Sequence, residues 1–262
     1  MWALLAACAP SSTPPPPPAP PPPTRAERAD AAVARAVDAI LGSPLAAERL
    51  DPLMALAAID RARPDPSRAA GIEALRIVVD TGGDPRRRWW DPSARWPDAA
   101  PHAWTPEPGR RVTPNFALVE ALYCPSPALR PETVRWVCDT LRDDGGRLSG
   151  HAAWILDLGV DQGCVARADT CLDALREELT AAALRSSPGG DTDARDVFAE
   201  QLLFATLAGA PAEALAPAVD ALLAAQGDDG GFGAPGDRSF AALHATAASA
   251  WALAEWRAAG GD

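Results

Sequence analysis

The chain has no lysine. Its 24 basic side chains are all arginine, 35 carboxylates oppose them, and the formal charge is −11. Such a surface repels phosphodiesters and anionic headgroups, which excludes nucleic acid as a partner and an electrostatic grip on anionic lipid. Strictly alternating runs of β-branched residues are missing, so a sheet has nothing to be built from. Beyond the first residues, no apolar run approaches the ~20 residues that cross a bilayer as a helix. Metal-binding spacings of the C-x-x-C or H-x-x-x-H kind are also missing, and neither a metal nor a cofactor is implied.

What is present is alanine-rich amphipathic helix. At 262 residues with 48% hydrophobic side chains, the chain suits one well-buried domain. From Arg25 to Leu41, the apolar residues Ala32, Val33, Val37, Ile40 and Leu41 fall at three- and four-residue steps, and Gly42 stops the run. Pro44 to Ala62 repeats the pattern, and a third helix is predicted from Ser67 to Asp80, closed by Gly82-Gly83. Further helices are predicted over Asn115–Tyr123, Pro131–Leu141, Ser149–Leu158, Ala168–Leu184, Ala194–Leu207, Pro211–Ala225 and Phe240–Trp256. Short Gly- or Pro-marked turns between most of them favour antiparallel hairpins.

Residues 1–8 read MWALLAAC, and Leu5-Ala6-Ala7-Cys8 resembles the lipobox of bacterial lipoproteins, which implies acylation of Cys8. Ala9 is not the aspartate associated with inner-membrane retention, so the outer membrane is the expected anchor, with the domain periplasmic or on the surface. Residues 9–24, with proline from Pro14 to Pro23 interrupted only at Ala19, form an extended tether at ~3.1 Å per residue. The competing reading is a disordered tail on a soluble protein. Setting Cys8 aside leaves Cys124, Cys138, Cys164 and Cys171, an even set open to two disulfides in an oxidising compartment. The simplest pairing by proximity joins Cys124 to Cys138 and Cys164 to Cys171; zinc ligation and free thiols are the competing fates.

Residues 84–111 interrupt the helical order with Trp89, Trp90, Trp96 and Trp104 among prolines and arginines. Indole faces and guanidinium planes stack on ligands, making this stretch a candidate platform for sugar or peptide. The structural alternative is a long connection pinned to the helices by its own tryptophans.

The most informative stretch is Ala221 to Trp256, in which Gln226 precedes the turn Asp228-Asp229-Gly230-Gly231-Phe232-Gly233 and a helix follows with His244-Ala245-Thr246. Val134 to Leu158 repeats it more weakly, with Asp143-Asp144-Gly145-Gly146 and then His151 heading a helix that carries Trp154. Recurrence points to repeated helical hairpins. The pattern resembles the repeat of the α/α-toroid superfamily, which includes terpenoid cyclases and protein prenyltransferase β-subunits. That resemblance implies an all-α toroid or partial toroid over residues 25–262. It also makes Asp228, Asp229, His244 and His151 the candidate catalytic residues, since a prenyltransferase histidine at a similar place binds zinc. The accompanying D-x-C pair, the D-x-D-D motif of class II cyclases and the C-H pair of lantibiotic-cyclase-like toroids do not occur, and one tyrosine with five phenylalanines would line a cation-stabilising cavity thinly. Asp-Gly turns and helix-start histidines also have sufficient structural explanations. Two function classes follow: a non-catalytic lipoprotein whose concave helical face binds a protein, peptide or polysaccharide, and a toroid enzyme with acids and histidine at a cavity mouth. The first is preferred because no complete catalytic set can be assembled.

Overall fold

A computed structural model describes residues 21–79, 84–91, 113–124, 129–142, 148–166 and 169–262. These fold into ten α-helices: α1 (Arg25–Leu41), α2 (Leu50–Ala62), α3 (Pro66–Val78), α4 (Pro114–Tyr123), α5 (Pro131–Trp136), α6 (Ser149–Asp161), α7 (Thr170–Arg185), α8 (Thr192–Leu207), α9 (Ala212–Ala224) and α10 (Phe240–Ala258). No strand occurs among the described residues, and none of their helices is long and apolar enough to cross a membrane. Cys8, most of the proline tether, Trp96, Trp104 and the turn Asp143-Asp144-Gly145-Gly146 lie outside the described residues.

Beyond shifts of one to three residues at helix ends, three stretches differ from the sequence reading. The helix expected over Pro44–Ala62 is a short 3-10 turn, Pro44–Glu48, and then α2, because Arg49 between them is extended at φ −139° and ψ 150°. The helix expected to Leu141 is α-helical only to Trp136 and widens into a π turn, Val137–Leu141. Within the Trp-rich stretch, Pro85–Trp89 is a 3-10 turn, started by Asp84, whose side chain accepts from the Arg86 amide.

Six acidic or hydroxylic side chains close helix starts. Side chains of Thr24, Asp65, Thr113, Asp169, Asp191 and Ser239 each accept from first-turn amides that have no partner inside the helix. Thr24 and Glu27 complete a reciprocal capping box.

Helix α10 is the centre of the packing. Thirteen of its residues are buried, seven of them alanine, and small side chains on every face let neighbours approach from all round. It packs chiefly against α8, α1 and α2, while α6 packs against α4, α7 and α8. Residues from α2, α4, α6, α8 and α10 line one interior cavity, including Asp51, Pro114, His151, Glu200 and His244. The last turns of the same five helices line an open groove, through Arg61, Leu122, Asp161, Leu207 and Glu255. In each of these five helices the residues that line the cavity precede or overlap those that line the groove, so all five run in the same general sense from cavity to groove.

Between the two ends sits a tryptophan plug. Trp89, Trp154 and Trp251 meet edge to face with centroids 5.4–5.6 Å apart, and Trp154 and Trp251 wall both the cavity and the groove. Trp89 bridges α2 and its neighbour turn: its Nε1 donates to the Met54 carbonyl at 2.8 Å and Arg61 stacks 4.3 Å over its ring. Arg88 beside it donates to the Leu122 carbonyl of α4 at 2.9 Å.

Candidate functional site

The sequence candidates separate into two places. Asp228 and Asp229 line a wide surface groove with Arg195, Asp237 and Arg238, whereas His151 and His244 line the interior cavity. The acidic pair and His244 thus line two separate pockets.

Hydrogen bonding around the acidic turn explains its glycines and its flanking residues as structure. Asp229 Oδ1 accepts from the Gly231 amide at 3.1 Å, and Asp229 pairs with Arg238 at 3.2 Å. Gly230 has φ +82°, and a Cβ there would lie 2.6 Å from the Arg35 carbonyl of α1. Gln226 Nε2 donates to the carbonyls of Ala32 and Gly230, both at 2.9 Å, and its Oε1 accepts from Arg35. Phe232 is fully buried, and its amide donates to Thr246 Oγ1 at 3.0 Å. The Gln, Gly-Gly-Phe and His-Ala-Thr positions thus dock the α9–α10 turn onto α1 and α10.

Trp89 is buried in the plug beneath Arg61 and lines the floor of the open groove, and Trp90 packs against the same core. Its neighbours Trp96 and Trp104 lie outside the described residues. The four cysteines form two disulfides, with a correction to the pairing by proximity. Cys124 at the end of α4 is bonded to Cys164 after α6, and Cys138 in the π turn to Cys171 at the start of α7. Cα separations of 6.3 and 5.9 Å suit such bonds. Chain proximity misled because α5 separates Cys124 from Cys138, and because Cys164, just after α6, meets the end of α4 while Cys171 opens α7.

The interior cavity holds about 110 Å³, room for several waters or a small molecule. Met54, Leu118, Ile155 and Leu203 form part of its apolar wall, and Trp154, Phe204 and Trp251 its aromatic side. His244, on the second turn of α10, meets Asp196 of α8: Nδ1 donates to Asp196 Oδ1 at 2.7 Å. Both side chains keep some solvent contact, 31% for His244 and 25% for Asp196, and of the two His244 lines the cavity. The hydrogen bond to Asp196 raises the His244 pKa to about 9, with the nearby charges of Glu200 and Asp51 adding to it. Glu200, one turn on from Asp196, is pushed up to about 7 by burial, with the Asp196 charge adding to it.

His151 sits deeper, on the first turn of α6, its ring 5.4 Å from that of Phe204. Burial drives its pKa down, helped by the nearby His244 charge. Its Nδ1 is buried without a hydrogen-bond partner, and so is Trp154 Nε1 on the same wall. Two such orphans in one cavity are uncommon, because a buried polar group without a partner costs roughly 1–3 kcal/mol.

Sequence reading found both histidines but missed Asp196, Glu200 and Asp51. A signal was available in Asp196-x-x-x-Glu200-x-x-x-Phe204: two acids at four-residue spacing run into an aromatic, placing charge on the buried stripe of α8. The cluster of Asp196, Glu200 and His244 has donor atoms that all lie within 4.8 Å of one another.

No family model, no curated protein and no solved structure matches this chain.

Proposed function

We propose that the chain is a binding protein of the bacterial cell envelope, lipid-anchored through Cys8 in the outer membrane and built as a partial α/α toroid. Its ligand is a small molecule or ion taken into the interior cavity, and catalysis is not required of it. The observation that carries the binding reading is the pair of orphaned buried atoms, His151 Nδ1 and Trp154 Nε1, on two residues that line one cavity. A bound ligand supplies the partners that the protein does not. Support for the toroid comes from the five same-sense helices around a common core, with α3, α5, α7 and α9 between them in sequence. The two disulfides support an oxidising compartment, and the lipobox-like Cys8 supports the anchor. One observation favours a second reading, an acid–base enzyme: Glu200 is poised at about 7 beside the Asp196–His244 pair.

Native mass spectrometry of the full chain purified from membranes tests the binding reading. A non-covalent mass is expected on the wild type and not on Ala248→Phe, which fills the cavity from α10. Equal occupancy in the two, with both folded by circular dichroism, would remove it. A ligand recovered chemically changed after incubation would establish the enzyme instead.

A further inference from the structure

We propose that Asp196, Glu200 and His244 are the ligands of a first-row divalent cation of the zinc type, with His151 hydrogen-bonded to a water on that ion. This rests on the interior cavity being the ligand site and names the ligand's class. Asp196 and Glu200 are one helical turn apart on α8 and so share a face. His244 comes from α10, the helix that packs most extensively against α8. One donor atom from each lies within 4.8 Å of the others. Donors at ~2.0–2.2 Å from a tetrahedral ion are roughly 3.3–3.6 Å apart, so closure by about an ångström of side-chain rotation completes the site. A cation there takes the place of the proton that His244 Nδ1 and Asp196 Oδ1 share at 2.7 Å.

A carboxylate cluster alone would not make a site, and the independent observation is His151. Its buried Nδ1 has no partner and its ring walls the same cavity as Glu200 and His244. Three protein ligands and a water are the arrangement that leaves one position open on zinc. Imidazole with carboxylate selects a zinc-like ion over calcium or magnesium. The other candidate cluster, Cys138, Asp169 and Cys171, offers no thiolate because its two cysteines are bonded to each other. The solvent contact of His244 and Asp196 gives an ion its entry path.

The test is calorimetric titration of Zn²⁺ into the full chain, purified without reductant and stripped with EDTA, alongside the visible absorption of the Co²⁺ form. One Zn²⁺ per chain and an intense four-coordinate Co²⁺ band are expected. Glu200→Gln, nearly isosteric, should weaken Zn²⁺ binding by about 100-fold and abolish the band. His151→Phe should retain the ion while shifting the band, with a loss of roughly 10-fold as expected for an outer partner. Absence of Zn²⁺ binding, or an affinity unchanged in both Glu200→Gln and His244→Gln, would overturn the proposal. If Zn²⁺ fails to bind but Ala248→Phe still abolishes an organic mass, the cavity reading survives and the metal alone is lost. If neither ion nor mass is found, both fall.

Discussion

His244 and Glu200 hold protons more tightly in the folded chain than in the unfolded one, and the consequence for stability has a definite sign. His244 titrates at about 9 against an ordinary 6.5, so its contribution is complete below pH 6.5 and disappears as pH rises through about 9. Glu200 titrates at about 7 against 4.5, so stability linked to its neutral form falls as pH rises from 4.5 through about 7. His151 opposes them, because its lowered pKa makes acid protonation costly below its ordinary 6.5. Denaturant unfolding in EDTA should therefore show stability declining from pH 7 to pH 9 by on the order of 2 kcal/mol. Asp196→Asn should flatten that limb by removing the hydrogen bond that holds the proton; an unchanged slope would assign the effect to other groups. These residues show what was legible at this scale. Both histidines stood out because they are rare and head a recurring unit, whereas Asp196 and Glu200 were hidden among 35 carboxylates. Only their phase relative to Phe204 separates them from the rest, and phase gains meaning once the partner helix is known.

Helix α6 crosses α8 where Gly150 meets Phe204, and the absence of a side chain at Gly150 is what allows that approach. A Cβ at Gly150 would overlap the Phe204 ring, which is itself packed on His151 and stacked 6.0 Å from Trp154. Gly150→Ala is accordingly expected to destabilise the fold by about 1–3 kcal/mol despite its better helix propensity. It should also narrow the cavity, since Phe204 can move only toward His151 or Trp154. Thermal unfolding together with ligand or Zn²⁺ titration checks both effects; a stabilised variant with unaltered binding would contradict the close crossing. At this scale the sequence was read closely, since helix length follows from apolar period and terminal Gly, Pro, Asp and Ser. The failures are local: extended Arg49 splits one predicted helix, and the π turn at Val137–Leu141 widens another where Cys138 reaches Cys171. Neither has a periodic signature.

Across the whole molecule, the two disulfides overlap in sequence, with Cys124–Cys164 spanning 40 residues and Cys138–Cys171 spanning 33. They tie α4 to the end of α6 and the π turn to α7, and so fasten the elements with the least α10 contact to one another. Helices α1, α2 and α8 are held by a broad interface with α10, but α4 and α5 have no comparable partner. Instead, Glu120 of α4, buried at 3% exposure, accepts from Arg130 and Thr133 at the start of α5. Chain-entropy arguments give each crosslink about 4 kcal/mol, with less than the sum for two loops that interlock. Removing them should consequently unfold the α4–α7 region before the α1–α2–α8–α10 core. Hydrogen exchange with and without reductant is the measurement, and the expected result is protection lost first at Ala117–Tyr123 and Ala152–Leu158 while Ala245–Ala254 remains protected. Because His151 and Trp154 lie on the stapled half and Glu200 and His244 on the other, reduction should open the cavity at its seam and release whatever it holds while α8 and α10 stay folded. Uniform loss of protection across all ten helices would instead mean that the disulfides stabilise one cooperative unit, and that the cavity is lost only when the whole chain unfolds.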